Sequence, residues 1–367
     1  MPEDQRDVED QPTAPQLSTD APPPAERGYP QTGPVHPQEE DSVVSRETSA
    51  GPSGFVVRTA ADVASLEPGY ADETTPLARA AEHSLLARRT AYGRPAVARP
   101  PATRVMVVAN QKGGVGKTTS TVNLAAALCQ LGQRVLVIDL DPQGNASTAL
   151  SVEHRRGVPS TYDLLVNGAT LAEVITESPE VPGLSVVPAT IDLAGAEIEL
   201  VSVVARESRL YRAIQAHPAV GAAAEAGEER FDYVLVDCPP SLGLLTLNAL
   251  VAGEEMMIPI QAEYYALEGL GQLLETVEMV RQHLNQRLSV STILITMYDA
   301  RTRLASGVAD EVREHFGETV LRTSIPRSVR ISEAPSYGQT VMTYDPGSPG
   351  ALSYLEAARE MAVRGAR

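Results

Sequence analysis

Short apolar runs separated by Gly, Pro and Asp recur from Val105 almost to the C-terminus. RVMVVAN (104–110), RVLVIDLD (134–141), LSVVPA (184–189), FDYVLVDCPP (231–240), EEMMIPIQ (254–261), VSTILITMYD (290–299) and TVLRTSIP (319–326) are rich in Val, Ile and Leu and predict strands. Between them the apolar spacing turns helical. TTSTVNLAAALCQLG (118–132) stops at Gly132, a long amphipathic pattern covers 266–284, and ALSYLEAAREMAV (351–363) closes the chain. Strands that are apolar along their whole length are buried on both faces. Alternating with helices, they predict an α/β fold: a doubly wound, mostly parallel sheet with helices on both faces. No internal repeat at a fixed period is visible.

The first hundred residues break this pattern. Residues 1–78 are Pro-, Ser-, Thr- and acid-rich, with 15 acidic against 4 basic side chains. Such a segment buries too little apolar surface to offset its ordering entropy, which predicts a disordered tail. Residues 79–104 reverse the sign with six Arg against one Glu. The expectation is an Arg-rich tether over 79–103, with one short helix around 80–89. The organisation read from sequence is therefore a tail (1–78), a tether (79–103) and one folded domain (104–367). The acidic N-terminus lacks an apolar signal core and no run of 18 apolar residues occurs, which predicts a cytoplasmic protein without a membrane span. Cys129 and Cys238 stand far apart, so neither a disulfide framework nor a paired-cysteine metal site is expected. A net charge of −17 disfavours polyanion binding by the chain as a whole, while leaving room for a local Arg patch.

Of 30 basic residues, only two are lysines, and both lie in NQKGGVGKTT (110–119). A strand, a glycine-rich loop and a helix in that order make a phosphate site, because backbone N–H groups and the helix N-terminus converge there. The pattern G-x-x-x-x-G-K-[ST] would need Gly at position 111, where this chain has Gln111. KGGVGKTT instead fits the deviant Walker A form K-G-G-x-G-K-[ST], with its second lysine at Lys112. Gly113, Gly114, Val115 and Gly116 supply the cradle. By spacing, Lys117 reaches the β- and γ-phosphates, the Thr118 hydroxyl reaches Mg²⁺ and Thr119 reaches the α-phosphate. A compact ammonium suits that space better than a planar guanidinium.

Carboxylates stand at two strand ends. IDLDPQGN places Asp139 and Asp141 two residues apart, able to face one way at the carboxyl edge of the sheet. VLVDCPP places Asp237 where a Walker B aspartate holds Mg²⁺ through water. Thr118, Asp237 and Asp139 are the candidate metal set. A lone strand-end Asp is ordinarily a helix cap; three of them beside a phosphate loop favour the nucleotide reading.

The blocks QKGGVGKTT, DLDPQGNAS, IDLAGAEIEL, VDCPPSLGLLTLNAL, QAEYYALEGLGQLLETV, LITMYDARTRL and IPRSVRISEAPSYGQTVMTYDPGSPGA occur in this order. Together they resemble the ParA/Soj chromosome-partitioning ATPases over about 105–365. The resemblance implies an ATPase of low basal rate that requires ATP and Mg²⁺. Its ATP-bound homodimer sandwiches two nucleotides, and Lys112 of each subunit reaches the other's phosphates. It implies that Asp141 orients the attacking water, that Asn248 sits in the switch after Walker B, and that the adenine pocket involves Met297 and Pro326. It further implies nonspecific binding of double-stranded DNA through Arg301 and Arg330, with Arg327 a weaker candidate, and release by a ParB-type centromere-binding partner. The expected location is the cytoplasm, on the nucleoid.

Other classes make different demands. A MinD-like membrane-cycling positioning ATPase shares the loop but needs a terminal basic amphipathic helix with bulky apolar residues; the closing helix is Ala-rich. An iron–sulfur carrier would need paired cysteines. A non-catalytic adaptor would not need Lys117, Asp141 and Asp237 together. The tail, the tether and the Ala-rich stretch AHPAVGAAAEAGEER (216–230) lie outside the resemblance, and their sequence leaves an interaction tail, a DNA-contacting tether and an inert spacer all open.

Overall fold

Alternate residues of each central strand serve two different cores, which is why the strands read as unbroken apolar runs. The computed structural model describes residues 96–220, 229–263 and 266–365. The tail, the helix expected at 80–89 and the middle of the Ala-rich stretch (221–228) lie outside the described residues.

The elements are β1 (Arg104–Val108), α1 (Lys117–Gln130), β2 (Val135–Asp139), α2 (Asn145–Ala149), α3 (Leu171–Val174), β3 (Thr176–Glu177), β4 (Leu184–Val187), α4 (Leu193–Glu199), α5 (Arg209–Ala216), β5 (Tyr233–Asp237), α6 (Leu244–Ala252), β6 (Glu255–Gln261), α7 (Ala266–His283), β7 (Ser289–Thr296), α8 (Arg303–Phe316), α9 (Val329–Glu333), α10 (Val341–Tyr344) and α11 (Pro349–Gly365). Seven strands form one sheet in the order β3-β4-β2-β5-β1-β6-β7. All neighbouring pairs are parallel except β3–β4, which is antiparallel. Met106, Val108, Val135, Val137 and Leu235 pack with α1 and α11 on one face. Val105, Val107, Leu136, Ile138, Val234 and Val236 pack with helices including α6 and α8 on the other. The doubly wound sheet expected from the sequence is therefore the architecture.

The last expected strand, 319–326, is not one. Val320 and Pro326 make isolated parallel bridges to Ile293 and Tyr298. Between them the amides of Arg322 and Thr323 turn away to donate to the Glu360 carboxylate on α11, at 2.9 and 3.3 Å. The two-residue β3 escapes a pattern search because both its residues are polar and exposed. Helix α11 buries Ala351, Tyr354, Leu355, Ala358, Met361 and Ala362. Its apolar face is thus consumed by the core rather than offered to a bilayer, and among the described residues no helix is long and apolar enough to cross a membrane.

Residues 96–103, expected to belong to a tether, lie against the domain at the amino edge of the sheet. Val97 donates its amide to Leu131 O at 3.1 Å. Arg99 Nε bonds Asp232 Oδ1 at 2.7 Å, and Arg99 Nη2 bonds Arg230 O at 2.7 Å. Arg230 in turn donates to the carbonyls of Pro100 and Pro101. Asp232 is fully buried and also accepts from the Arg134 amide at 2.9 Å. Arg99 thus neutralises a buried carboxylate, and residues 96–103 pack on the domain as a strap. Removing one partner of a buried charge costs more than the pair contributes, because the remaining charge stays desolvated. A chain beginning at Arg104 is therefore expected to unfold at lower urea than one beginning at Ala96, by on the order of 2–4 kcal/mol. Equal urea midpoints would show that the strap is not part of the fold.

Candidate functional site

The phosphate loop runs from the end of β1 into α1. Gly114 and Gly116 hold φ of +75° and +86°, conformations that L side chains rarely adopt. A Cβ placed on Gly113 or Gly114 would meet nothing within 4 Å, so the loop faces open space large enough for a bound group. Three bonds fix its shape. Asn110 donates to Pro259 O at 2.8 Å, the Lys112 amide donates to Asn110 Oδ1 at 3.0 Å, and Thr296 Oγ1 donates to Val115 O at 2.8 Å.

The two lysines point to different surroundings. Lys117 is 7% exposed, with Nζ 3.3 Å from Lys112 O inside the loop. Burial lowers its pKa, and the nearby Asp237 opposes that shift. Lys112 is half exposed and pairs with Glu263 at 2.8 Å on the loop after β6.

Strand register brings the carboxylates together, since Asp139 is the β-partner of Asp237, which also pairs with Val108 beside the loop. Asp237 Oδ1 accepts from Thr121 Oγ1 at 3.0 Å, and the Thr118 side chain lies close to the carboxylate. Its Oδ2 is buried with no hydrogen-bond partner. A buried, unsatisfied carboxylate oxygen beside the Thr118 hydroxyl fits a hydrated Mg²⁺. Among the described residues no cluster of three His, Cys, Asp or Glu forms a metal cage. That suits an ion held mainly by phosphate oxygens and water.

Asp139 differs from Asp237 in having both oxygens satisfied. Its Oδ1 accepts from the Asp141 amide at 3.1 Å, and its Oδ2 accepts from the Ser147 amide and hydroxyl at 2.9 and 2.7 Å. Both oxygens are committed to the turn that presents Asp141, whose own Oδ1 accepts from the Gln143 amide at 3.0 Å. Burial raises the pKa of both aspartates, Asp139 to about 6 with the Asp141 charge adding to the rise, and Asp237 to about 8 with the Asp139 charge adding to it.

Met297 and Pro326 line a small cleft of about 100 Å³ with Gly116, Thr119, Arg327 and Tyr354, next to the phosphate loop. Met297 holds φ +50°, so its backbone is strained at the point where β7 gives way to the cleft. A larger cavity of about 690 Å³ lies between the end of α8 and α11 and contains none of the phosphate-loop residues. Size does not mark the site. Arg301 and Arg330 are 89% and 57% exposed; the first is bonded bidentately by Asp299 at 2.9 and 2.8 Å, the second lies 3.3 Å from Glu333 and 3.6 Å from Asp345. Arg327 is exposed at the mouth of the cleft. Asn248 is buried on α6 and not drawn to the loop. Its amide donates to Arg206 O and Leu244 O at 2.9 Å and accepts from the Leu210 amide at 3.3 Å, tying α5 to α6.

A family model for an AAA domain matches residues 103–290. Soj of Bacillus subtilis is 50% identical over 71% of this chain and 99% of its own length. The chromosome-partitioning protein ParA of Caulobacter vibrioides is 47% identical over 71% and 94%. The chain belongs to the Soj/ParA family of chromosome-partitioning ATPases. Among solved structures, a cobyrinic acid a,c-diamide synthase from Mycobacterium smegmatis with bound ADP and magnesium is similar at 38% identity and TM-score 0.58, covering 70% of this chain and 93% of that one. MinD from Pyrococcus horikoshii with Mg-ADP is similar at 25% identity and TM-score 0.56, covering 71% and 96%.

Four residues of this Soj/ParA-type site were not singled out in the sequence: Thr121, Ser147, Thr296 and Glu263. Thr121 carried a signal, since it stands one helical turn after Lys117 and faces the same way. The other three reach the site by tertiary contact alone. The buried aspartates make a testable demand on stability. A carboxyl group whose pKa is raised by folding favours the folded state at low pH, and that contribution is lost as pH rises through the folded pKa. Without nucleotide or Mg²⁺, the wild-type protein is expected to lose thermal stability from about pH 4 to about pH 8, with Asp139 contributing to the loss up to about 6 and Asp237 up to about 8. Asp237→Asn is expected to flatten much of that loss. A melting temperature that rises over the same range in the wild type would contradict this electrostatic account.

Proposed function

We propose that this chain is a DNA-segregation switch. Its ATP-bound form is a sandwich homodimer that holds DNA without sequence preference, and a ParB-type partner ends that state by stimulating hydrolysis. The observation that carries the reading is the divergence of the two lysines. Lys117 is enclosed by its own loop and serves that loop's phosphates. Lys112 lies on the outer side, half exposed, where a second copy can approach. A cation that must reach another subunit cannot be buried in its own.

Within one subunit, the loop amides, Lys117 and Thr119 bind and orient the phosphates. Thr118, with Asp237 through water, would hold Mg²⁺, and a bound magnesium ion supplies neutralisation of phosphate charge. Asp141 is presented by the Asp139–Ser147 turn to orient the attacking water, so Asp139 acts as a positioning residue. Catalysis of this kind is positioning and electrostatics, with no covalent step for the protein to carry. The adenine lies against Met297 and Pro326. A low basal rate follows from a site completed only by the partner, and the nucleoid is the expected location.

DNA contact falls to Arg301 and Arg330, with Arg327 beside them. Arg301 already has a bidentate carboxylate partner, so a phosphate must take the place of Asp299. Dimerisation doubles the set of cations, and phosphate contacts carry no sequence information.

Lys117→Ala is expected to weaken ATP binding by about 100-fold, since it removes a charge-assisted contact worth on the order of 3 kcal/mol. Lys112→Ala is expected to keep ATP binding and to lose ATP-dependent dimerisation, read by sedimentation. Dimers of wild-type strength in the Lys112 variant would refute the trans role.

Arg301→Glu and Arg330→Glu are each expected to abolish ATP-dependent DNA binding while leaving dimerisation intact. In the wild type, affinity should fall by about 0.9 log unit per log unit of salt for each phosphate neutralised. The same measurements on a chain beginning at Ala96 assign the contact. Loss of DNA binding on that truncation alone would move the role to the preceding basic residues.

A further inference from the structure

The connection from β4 to α5 carries more apolar surface than the fold uses. Leu193, Ala196 and Leu200 point inward and are fully buried. Ile191, Ala194, Ile198 and Val201 recur on the other side at three- and four-residue spacing, and Val204 follows. Ile191, Ile198, Val201 and Val204 are 52%, 80%, 59% and 87% exposed. A surface helix ordinarily has one apolar stripe and a polar face. Here both faces are apolar, and the outer one forms a contiguous exposed patch of the sort that marks a protein-binding surface.

The patch is ringed by negative charge. Residues 191–208 hold four carboxylates against Arg206 alone. Asp192 pairs with Arg156, whereas Glu197, Glu199 and Glu207 have no ion pair among the described residues. A second copy packed here about a twofold axis would set this acidic patch against itself, which costs energy. A positively charged occupant meets no such cost.

The patch is also joined to the nucleotide site. Glu197 Oε1 accepts from the Leu245 amide at 3.4 Å at the start of α6, the helix that follows the Asp237 loop. It sits so close to Gly243 that a Cβ there would come within 1.9 Å of it. The partly exposed Leu242 lies in the same turn. Further along, the buried Asn248 ties α6 to Arg206 and α5. The segment 197–210 thus bonds α6 at its start, through Glu197, and at its middle, through Arg206 and Leu210.

We propose that the 191–204 patch, with Leu242, docks a basic segment of a partner protein that presents one apolar stripe, and that docking shifts α6 and the loop carrying Asp237. Under the functional reading above, on which this identification of the partner rests, that segment belongs to the ParB-type protein that stimulates hydrolysis.

The test uses the full chain, two variants and two probes. Ile198→Asp with Val204→Asp changes only exposed side chains. Glu199→Lys with Glu207→Lys reverses the ring. One probe is the purified ParB-type partner, read as stimulated ATP turnover in the presence of DNA. The other is a synthetic peptide with Leu at helical spacing on one face and Arg on the other, read as binding by fluorescence anisotropy beside a scrambled peptide of equal composition. Each variant is expected to lose about tenfold or more in peptide affinity and in partner stimulation, the size of loss for a central interface side chain. ATP-dependent dimerisation and DNA binding are expected to stay at the wild-type level. Hydrogen exchange on the wild-type chain should slow across 191–204 when the ordered peptide binds. Equal binding of ordered and scrambled peptides would overturn the docking site, as would undiminished stimulation of both variants. Loss of dimerisation in the Asp variants would overturn it too, by giving the face to a second copy. If the wild type binds the ordered peptide at this patch yet the ParB-type protein stimulates nothing, the docking site stands and the partitioning reading fails.

Discussion

The molecule is organised around two carboxylates that it buries at the carboxyl edge of its own sheet. The register of β2 against β5 sets Asp139 directly beside Asp237, both fully out of water. Each is costly there, and their proximity adds repulsion. The structure resolves the conflict by dividing their roles. Asp139 is satisfied completely by the Asp141 amide and by Ser147, so its charge organises a turn. Asp237 is left with one oxygen unsatisfied, near the buried Lys117 at the start of α1. That unsatisfied oxygen is the feature on which the proposed hold on Mg²⁺ and nucleotide rests. The Thr118 and Thr121 hydroxyls and the enclosed Lys117 lie around it.

From this centre, short bonds carry position outward. Thr296 fastens Val115 to the end of β7. Three residues beyond Thr296, Asp299 holds Arg301, and the Arg327 amide bonds Tyr298 O at 3.1 Å. Arg301 therefore sits on a segment whose first residue is bonded to the phosphate loop, and the Arg327 backbone is bonded to that segment. On the other side, Glu197 and Asn248 connect α4 and α5 to the helix after Asp237. The phosphate loop is thus tied on one side to the segment that carries Arg301, where Met297 holds a positive φ, and the helix after Asp237 is tied on the other side to the acidic apolar patch.

The parts legible in the sequence were those whose physics is local. The six main parallel strands declare themselves because a strand buried on both faces has no polar alternation, and the phosphate loop because only glycine tolerates its backbone angles. The edge failed for the opposite reason. TVLRTSIP has strand composition, but its middle amides are taken by Glu360, a residue more than thirty positions away that no local pattern reveals. The strap was misread for a related cause. Six arginines within 79–104 look like a solvated basic run until Asp232, itself inconspicuous before a strand, proves to be buried and in need of Arg99 and Arg230. Asp139 shows the limit inside the site, since its spacing from Asp141 marks an active-site turn without telling which carboxylate faces the ligand.

The strap and the phosphate loop occupy opposite edges of the same sheet, and this separation constrains how the chain can work. Arg99, Arg230 and Asp232 sit where β1, β2 and β5 begin, and Lys117, Asp141 and Asp237 sit where those strands end. The described chain therefore begins at the edge opposite the phosphate loop. A second copy facing that loop, as proposed for Lys112, would leave the strap in place. The same geometry accounts for the charge distribution: an acidic chain with 28 arginines spends some of them on buried carboxylates such as Asp232 and Glu255, leaving those at the nucleotide edge exposed. Net charge thus says little about where a polyanion could meet this surface. Arg301 and Arg330, proposed to do so, pair with Asp299, Glu333 and Asp345, whose side chains are 26%, 42% and 40% exposed, so phosphate can compete for these arginines as it cannot for those held by the fully buried Asp232.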